Sequence, residues 1–138
     1  MNWKLIFSLS LFGLAMAFAT VYFIPGNVEV WVWLLIFIIV AWIIAKRATG
    51  NYFFHGFMVS IFNCVWIVAA HVLLYNTYMA NHPDEMKMMH PMLSGMHMDH
   101  YAHLHPRQGM IIMGPFWGIV FGLVLGLFSW IASKIVKK

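Results

Sequence analysis

The sequence predicts an all-α polytopic membrane protein: four transmembrane helices in an antiparallel bundle, both termini cytoplasmic. Three observations carry this. Of 138 residues, 63% are hydrophobic and only 9% are charged, against about 45–50% and 25% in a soluble domain. Charge that sparse cannot cover a water-facing surface. Four apolar stretches approach the roughly 20 residues that a membrane-crossing helix needs. Finally, the basic residues segregate to one side of the four-span arrangement.

The first span runs from about 5 to 24 and stops at Pro25-Gly26. A cleaved signal peptide would use the small residues at Ala15-Met16-Ala17 or Ala17-Phe18-Ala19, but the apolar run continues past both through Val21-Tyr22-Phe23-Ile24, which favours a retained span. The second, about 30–45, begins beside Trp31 and Trp33, as at a headgroup boundary, and stops at Lys46-Arg47. The third is expected over 52–78 and the fourth over 110–131, with Pro115 in its first turn. Short connections make consecutive spans antiparallel. The whole chain reads as a single four-helix transmembrane domain with no room for a soluble one.

Six basic residues (Lys4, Lys46, Arg47, Lys134, Lys137, Lys138) then fall on one side, and Lys87 and Arg107 on the other with all four acids. The positive-inside rule places the termini in the cytoplasm and the 79–109 loop outside, facing the periplasm or exterior. The charge excess of +4 is spread over span ends, so it forms no nucleic-acid-binding face. A single cysteine, Cys64, excludes a disulfide framework and reads as a small packing residue.

Lipid supplies no hydrophobic drive between helices, so close backbone approach must hold the bundle. Gly114, Gly118, Gly122 and Gly126 recur every four residues. Such steps drift by only about 40° each around a helix, so the four form one slowly winding groove. It can take a neighbouring span of the same chain or a second copy, as a homodimer seam on helix 4. The third span alone carries several polar side chains: His55, Asn63, Cys64 and His71. His55 and His71 stand about 24 Å apart along one helix and cannot share a ligand. His55 is expected at the headgroups of the inner boundary, and His71 against a neighbouring helix.

The outer loop is the chemically dense segment. Between 79 and 105, seven Met and six His make up 13 of 27 residues. Thioethers favour Cu(I) and Ag(I), and imidazole suits copper in either state. The candidate metal ligands are Met86, Met88, Met89, His90, Met92, Met96, His97, Met98, His100, His103 and His105. Pairs such as Met86 with His90, or His97 with His100, are spaced to share a helical face. Asn81-His82-Pro83-Asp84-Glu85 reads as a helix start with Asn81 or His82 as cap, leading into a helix over about 83–89. The same composition also fits a surface or partner-facing loop, or a segment that charges between pH 7.5 and 5.5 through its imidazoles.

Gly50-Asn-Tyr-Phe-Phe-His-Gly-Phe-Met-Val, Tyr75-Asn-Thr-Tyr, Asn81-His-Pro-Asp-Glu and the closing Gly114-Pro-Phe-Trp-Gly-Ile-Val-Phe-Gly-Leu-Val-Leu-Gly segment are the motifs that bear on kinship. Together they resemble a family of small bacterial four-span inner-membrane proteins defined by a domain of unknown function. That resemblance implies the four-span fold and carries over no catalytic residue. The Met/His density of the outer loop departs from the acidic, polar loop typical of that family.

No carboxylate is expected inside a span, and no phosphate loop or His-Glu-x-x-His motif occurs. The expected function is therefore a non-enzymatic accessory or scaffold subunit working with an unidentified membrane partner. The alternative is an outward-facing soft-metal (copper or silver) handling protein.

Overall fold

A computed structural model describes residues 1–83 and 106–136. The described residues form helices and no strand: α1 (Trp3–Tyr22), α2 (Gly26–Arg47), α3 (Tyr52–Leu73), the short α4 (Tyr75–Asn81) and α5 (Pro106–Val136). Four of them are long and apolar enough to cross a membrane, namely α1, α2, α3 and Arg107–Val136 of α5.

Local chemistry explains most boundaries. Asn2 caps α1 by accepting from the Leu5 N–H at 3.1 Å, and the Phe23 N–H closes the helix on the Ala19 carbonyl. α2 starts four residues before the expected position 30. Pro25 is held in extended backbone ahead of Gly26, and Glu29 sits in the first turn, where the helix dipole favours an acid. Lys46 and Arg47 occupy its last turn, where the dipole favours bases. Asn51 then takes a left-handed conformation (φ 50°) to turn the chain into α3, a role Asn fills with little strain.

Two expectations are corrected. The third span was expected unbroken over 52–78, but α3 ends at Leu73, and Leu74 (φ −100°, ψ 26°) separates it from α4. No Gly or Pro marks this break. Side chains of α4 and its cap are instead bonded to the end of α1, which redirects the helix. Similarly, α5 begins at Pro106, a favoured residue for a first helical turn, so Pro115 lies well inside the helix rather than in its opening turn. The residue before it is Gly114, which has no Cβ to meet the proline ring.

α3 is the central element. Its Phe53, Phe57, Cys64 and Val68 meet Gly126, Gly122, Gly118 and Gly114 of α5, so residue numbers rise along one helix as they fall along the other. On its other side it meets α1 through Asn2–His55, Ser10–Trp66 and Thr20–His71, numbers rising together. The closest backbone approach at a described glycine is at Gly56, where a Cβ would lie 2.5 Å from the Leu125 carbonyl oxygen.

The apolar core sits at the end of the bundle that holds the N-terminus. Ile6, Val40, Ile44, Val59 and Leu125 are fully buried there, from four different helices. Every buried residue of α2 lies between Phe37 and Ala45. Residues 26–36 of α2 are half-buried or exposed, with Trp33 and Ile36 packed against the core.

Candidate functional site

A cavity of about 730 Å³ opens between α2, α3 and α5. Its back wall is α3, with Ser60, Asn63, Cys64, Ile67, Val68 and His71. α2 contributes Trp33, Leu34 and Phe37, and α5 contributes Met110, Met113, Trp117 and Phe121. Its lining includes the edge-to-face pair Phe37–Phe121, with ring centroids 6.2 Å apart. Glu29 stands at the rim and accepts from the Trp33 indole N–H at 3.1 Å. Glu29 was expected in a loop; it belongs to α2 and lines this space.

Beside the cavity lies a hydrogen-bonded cluster that ties α3 and α4 to the end of α1. Thr20 Oγ1 donates to the Ala17 carbonyl at 3.0 Å, so its oxygen is left to accept from His71 Nε2 at 3.2 Å. That assigns the proton of a neutral His71 to Nε2. The His71 ring stacks on Tyr78 (4.2 Å), and Tyr78 stacks in turn on His82 (4.6 Å). Asn81 donates to the Val21 carbonyl at 2.7 Å. His82 faces two carbonyl acceptors, Ile24 O at 2.9 Å from Nε2 and Tyr78 O at 3.2 Å from Nδ1. A neutral imidazole donates to only one of these at a time, whereas an imidazolium donates to both.

Other polar groups of the spans bond either to a neighbouring element or back to their own helix, as Ser129 and Ser133 do to the Leu125 and Trp130 carbonyls. His55 was expected to reach headgroups, but it is buried. Its Nδ1–H donates to the Asn51 carbonyl at 2.9 Å, and its Nε2 accepts the Asn2 N–H at 3.0 Å. This is a fully satisfied neutral ring with one assignable tautomer. Trp66 donates to Ser10 Oγ at 3.2 Å, and Cys64 Sγ to the Gly114 carbonyl at 2.8 Å. Asn63 is the exception. Its buried amide is packed on Gly13 with no hydrogen-bond partner for either its nitrogen or its oxygen among the described residues.

The glycine groove of Gly114, Gly118, Gly122 and Gly126 carries α3 of the same chain. The eleven candidate metal ligands, Met86, Met88, Met89, His90, Met92, Met96, His97, Met98, His100, His103 and His105, lie outside the described residues, as does most of the helix expected over 83–89. Its expected caps, Asn81 and His82, are engaged with α1 instead. Among the described residues no three His, Cys, Asp or Glu converge on a metal position.

Sequence reasoning missed Thr20, Tyr78 and the cavity. The spacing of His71, Tyr78 and His82 (seven, then four residues) was a signal for a shared helical face, but the break at Leu74 falls inside it.

No protein-family model, curated protein or solved structure matches this chain.

Proposed function

We propose that this chain is a non-enzymatic integral membrane protein, an accessory or scaffold subunit of a bacterial inner membrane. In this reading the four long helices form an up-and-down bundle with cytoplasmic termini, and the segment joining α4 to α5 faces outward. The supporting observation is how the polar side chains of the spans are used. His55, Cys64 and Trp66 bond from α3 to neighbouring elements at separate depths, and Thr20, His71 and Asn81 tie the end of α1 to α3 and α4, which is the pattern of interhelical polar ties in a membrane bundle. A reaction centre needs a nucleophile, acid and base within reach of one reacting atom.

Fractionation comes first: the chain should stay with membranes after carbonate washing, and a C-terminal fusion should be active only as a cytoplasmic reporter. Photocrosslinking from outward positions of α2, such as Leu35 and Ile38, should then give one discrete heavier adduct in native membranes. Recovery in the soluble fraction, or no adduct from any outward face, overturns the scaffold reading.

A second reading rests on a different observation, the 13 Met and His among residues 79–105. These soft and borderline donors suit Cu(I) or Ag(I), and would make the outer loop a metal buffer or transfer surface. Titration of the purified chain with Cu(I) against a competing chelator, beside a variant lacking 86–105, decides it. Tight stoichiometric binding lost in the deletion supports metal handling; weak binding, or binding the deletion does not alter, removes it.

A further inference from the structure

We infer that the Glu29 end of the cavity is a site for a soft monovalent metal ion of the Cu(I) class, with Met110, Met113 and His71 as its ligands and Glu29 as its counter-charge. All four residues line the cavity. Register brings them to one height. The contacts between α3 and α5 step by four residues in opposite senses: Gly118 meets Cys64, and Gly114 meets Val68. One further step sets Met110 opposite position 72, beside His71. Met113 lies three residues on, on the same face of α5 as Met110. Helical side chains lean towards the N-terminus of their helix, which brings Met113 back towards the height of Met110. On α2, Glu29 stands eight residues before Phe37; on α5, Met113 stands eight before Phe121, the ring that Phe37 meets. Both stretches line the cavity, so Glu29 and Met113 share a height about 12 Å from the aromatic pair.

Chemistry selects the ion. Two thioethers and an imidazole form a neutral, mostly soft donor set, suited to Cu(I) or Ag(I), whereas calcium and magnesium take oxygen ligands. His71 is the imidazole prepared for this role. The rings of His55 and His82 have a partner at each nitrogen. His71 spends Nε2 on Thr20, and its Nδ1 has no hydrogen bond among the described residues. Donation from Nε2–H to an outer oxygen also fixes the tautomer whose Nδ1 lone pair can ligate, the usual arrangement of a metal-bound histidine. A cation among apolar walls needs an opposite charge nearby, and Glu29 is the only carboxylate lining the cavity among the described residues. Cys64 stays outside the set. It lies seven residues from His71, about 10 Å along α3, and its thiol donates to the Gly114 carbonyl. Because two of the three ligands are thioethers, no convergence of His, Cys, Asp and Glu among the described residues marks the site.

This inference carries the soft-metal reading from residues 79–105 into the described helices, and the two fail separately. The full chain, purified in detergent, is exposed to hydrogen peroxide with and without Ag(I). Sulfoxide formation at each methionine is followed by peptide mass spectrometry, since a thioether bound to silver resists oxidation to the sulfoxide. Ag(I) should protect Met110 and Met113 and leave the rate at Met58, which does not line the cavity, unchanged. His71→Gln should raise the Ag(I) concentration needed for protection at least about tenfold, and Cys64→Ser should not change it. Protection of Met110 and Met113 should also persist in a full-length chain whose Met and His within 86–105 are changed to Leu and Gln. Protection confined to 79–105 overturns this site and leaves the other reading standing; protection of Met110 and Met113 alone does the reverse. Equal protection of Met58 overturns the site. So does protection that disappears with the 86–105 donors or with Cys64, or that is unchanged in a folded His71→Gln chain. Because the main readout uses the unmodified protein, a variant that fails to fold does not remove the test.

Discussion

Thr20 Oγ1 and His71 Nε2 lie 3.2 Å apart across the α1–α3 contact, and the threonine's own bond to the Ala17 carbonyl fixes which of them donates. The histidine ring is then held flat against Tyr78, and Tyr78 against His82, whose Nε2 reaches the Ile24 carbonyl. One continuous stack thus runs from the end of α3 to the chain that leaves α1.

Removing the acceptor should loosen this end of the bundle. Thr20→Val keeps the shape and leaves the His71 N–H unpaired. The expected loss is about 0.5–1.5 kcal/mol, the range of a single interhelical hydrogen bond in a membrane protein. Thr20→Ser should retain most of the stability. Thermal unfolding of both variants in one detergent, followed by circular dichroism, checks the pair; equal midpoints for Thr20→Val and wild type would remove His71 as a tie.

Two glycines mark the extremes of close approach. A Cβ at Gly56 would meet the Leu125 backbone oxygen at 2.5 Å, which no side-chain rotation can relieve, whereas one at Gly109 would meet nothing within 4 Å. Gly56→Ala should therefore push α3 off α5 and cost about 1–3 kcal/mol, the usual penalty for overpacking. Gly109→Ala, inside α5, should be neutral or stabilise by up to about 1 kcal/mol through helix propensity. The melting midpoints of the two variants should move in opposite directions, or only the first should move.

The same contrast shows why parts of this fold were legible and parts were not. The groove of Gly114, Gly118, Gly122 and Gly126 is readable because a four-residue period maps onto one helical face, whatever fills it. The break at Leu74 is not, because no local residue demands it: the bonds Asn81–Val21 and His82–Ile24 are made to a segment some 60 residues earlier. The start of α5 was placed too late because apolarity was used as the boundary, although Pro106 already supplies a helix start. The cavity is the least legible feature. α2 is apolar over most of its length, so its sequence does not distinguish the stretch with fully buried residues, Phe37 to Ala45, from the stretch that lines the cavity.

Asn63 carries a prediction of the opposite sign. Its buried amide has no hydrogen-bond partner among the described residues and lies against Gly13. An unsatisfied buried polar group costs about 1–3 kcal/mol, and replacing it by an apolar group of similar shape is commonly neutral or stabilising. Asn63→Leu should hold or raise the melting midpoint. A clear drop, measured in the same detergent, would show that the amide gains a partner in the folded membrane protein.

The soft-metal reading makes its own separable prediction, because two donor types share residues 86–105. Changing Met86, Met88, Met89, Met92, Met96 and Met98 to Leu removes thioethers and keeps the apolar bulk, while His90, His97, His100, His103 and His105 remain. Cu(I) prefers the soft sulfur donors, whereas Zn(II) is served by imidazole. The Leu variant should lose at least about tenfold in Cu(I) affinity, equivalent to about 1.4 kcal/mol, with Zn(II) binding little changed. The complementary His→Gln set should reverse that pattern. Parallel chelator competitions with both metals read the two sets side by side. An equal loss of both metals in the Leu variant would point to disturbed loop structure rather than lost thioether ligands, and no loss of either would leave the methionines as lipid- or partner-facing bulk.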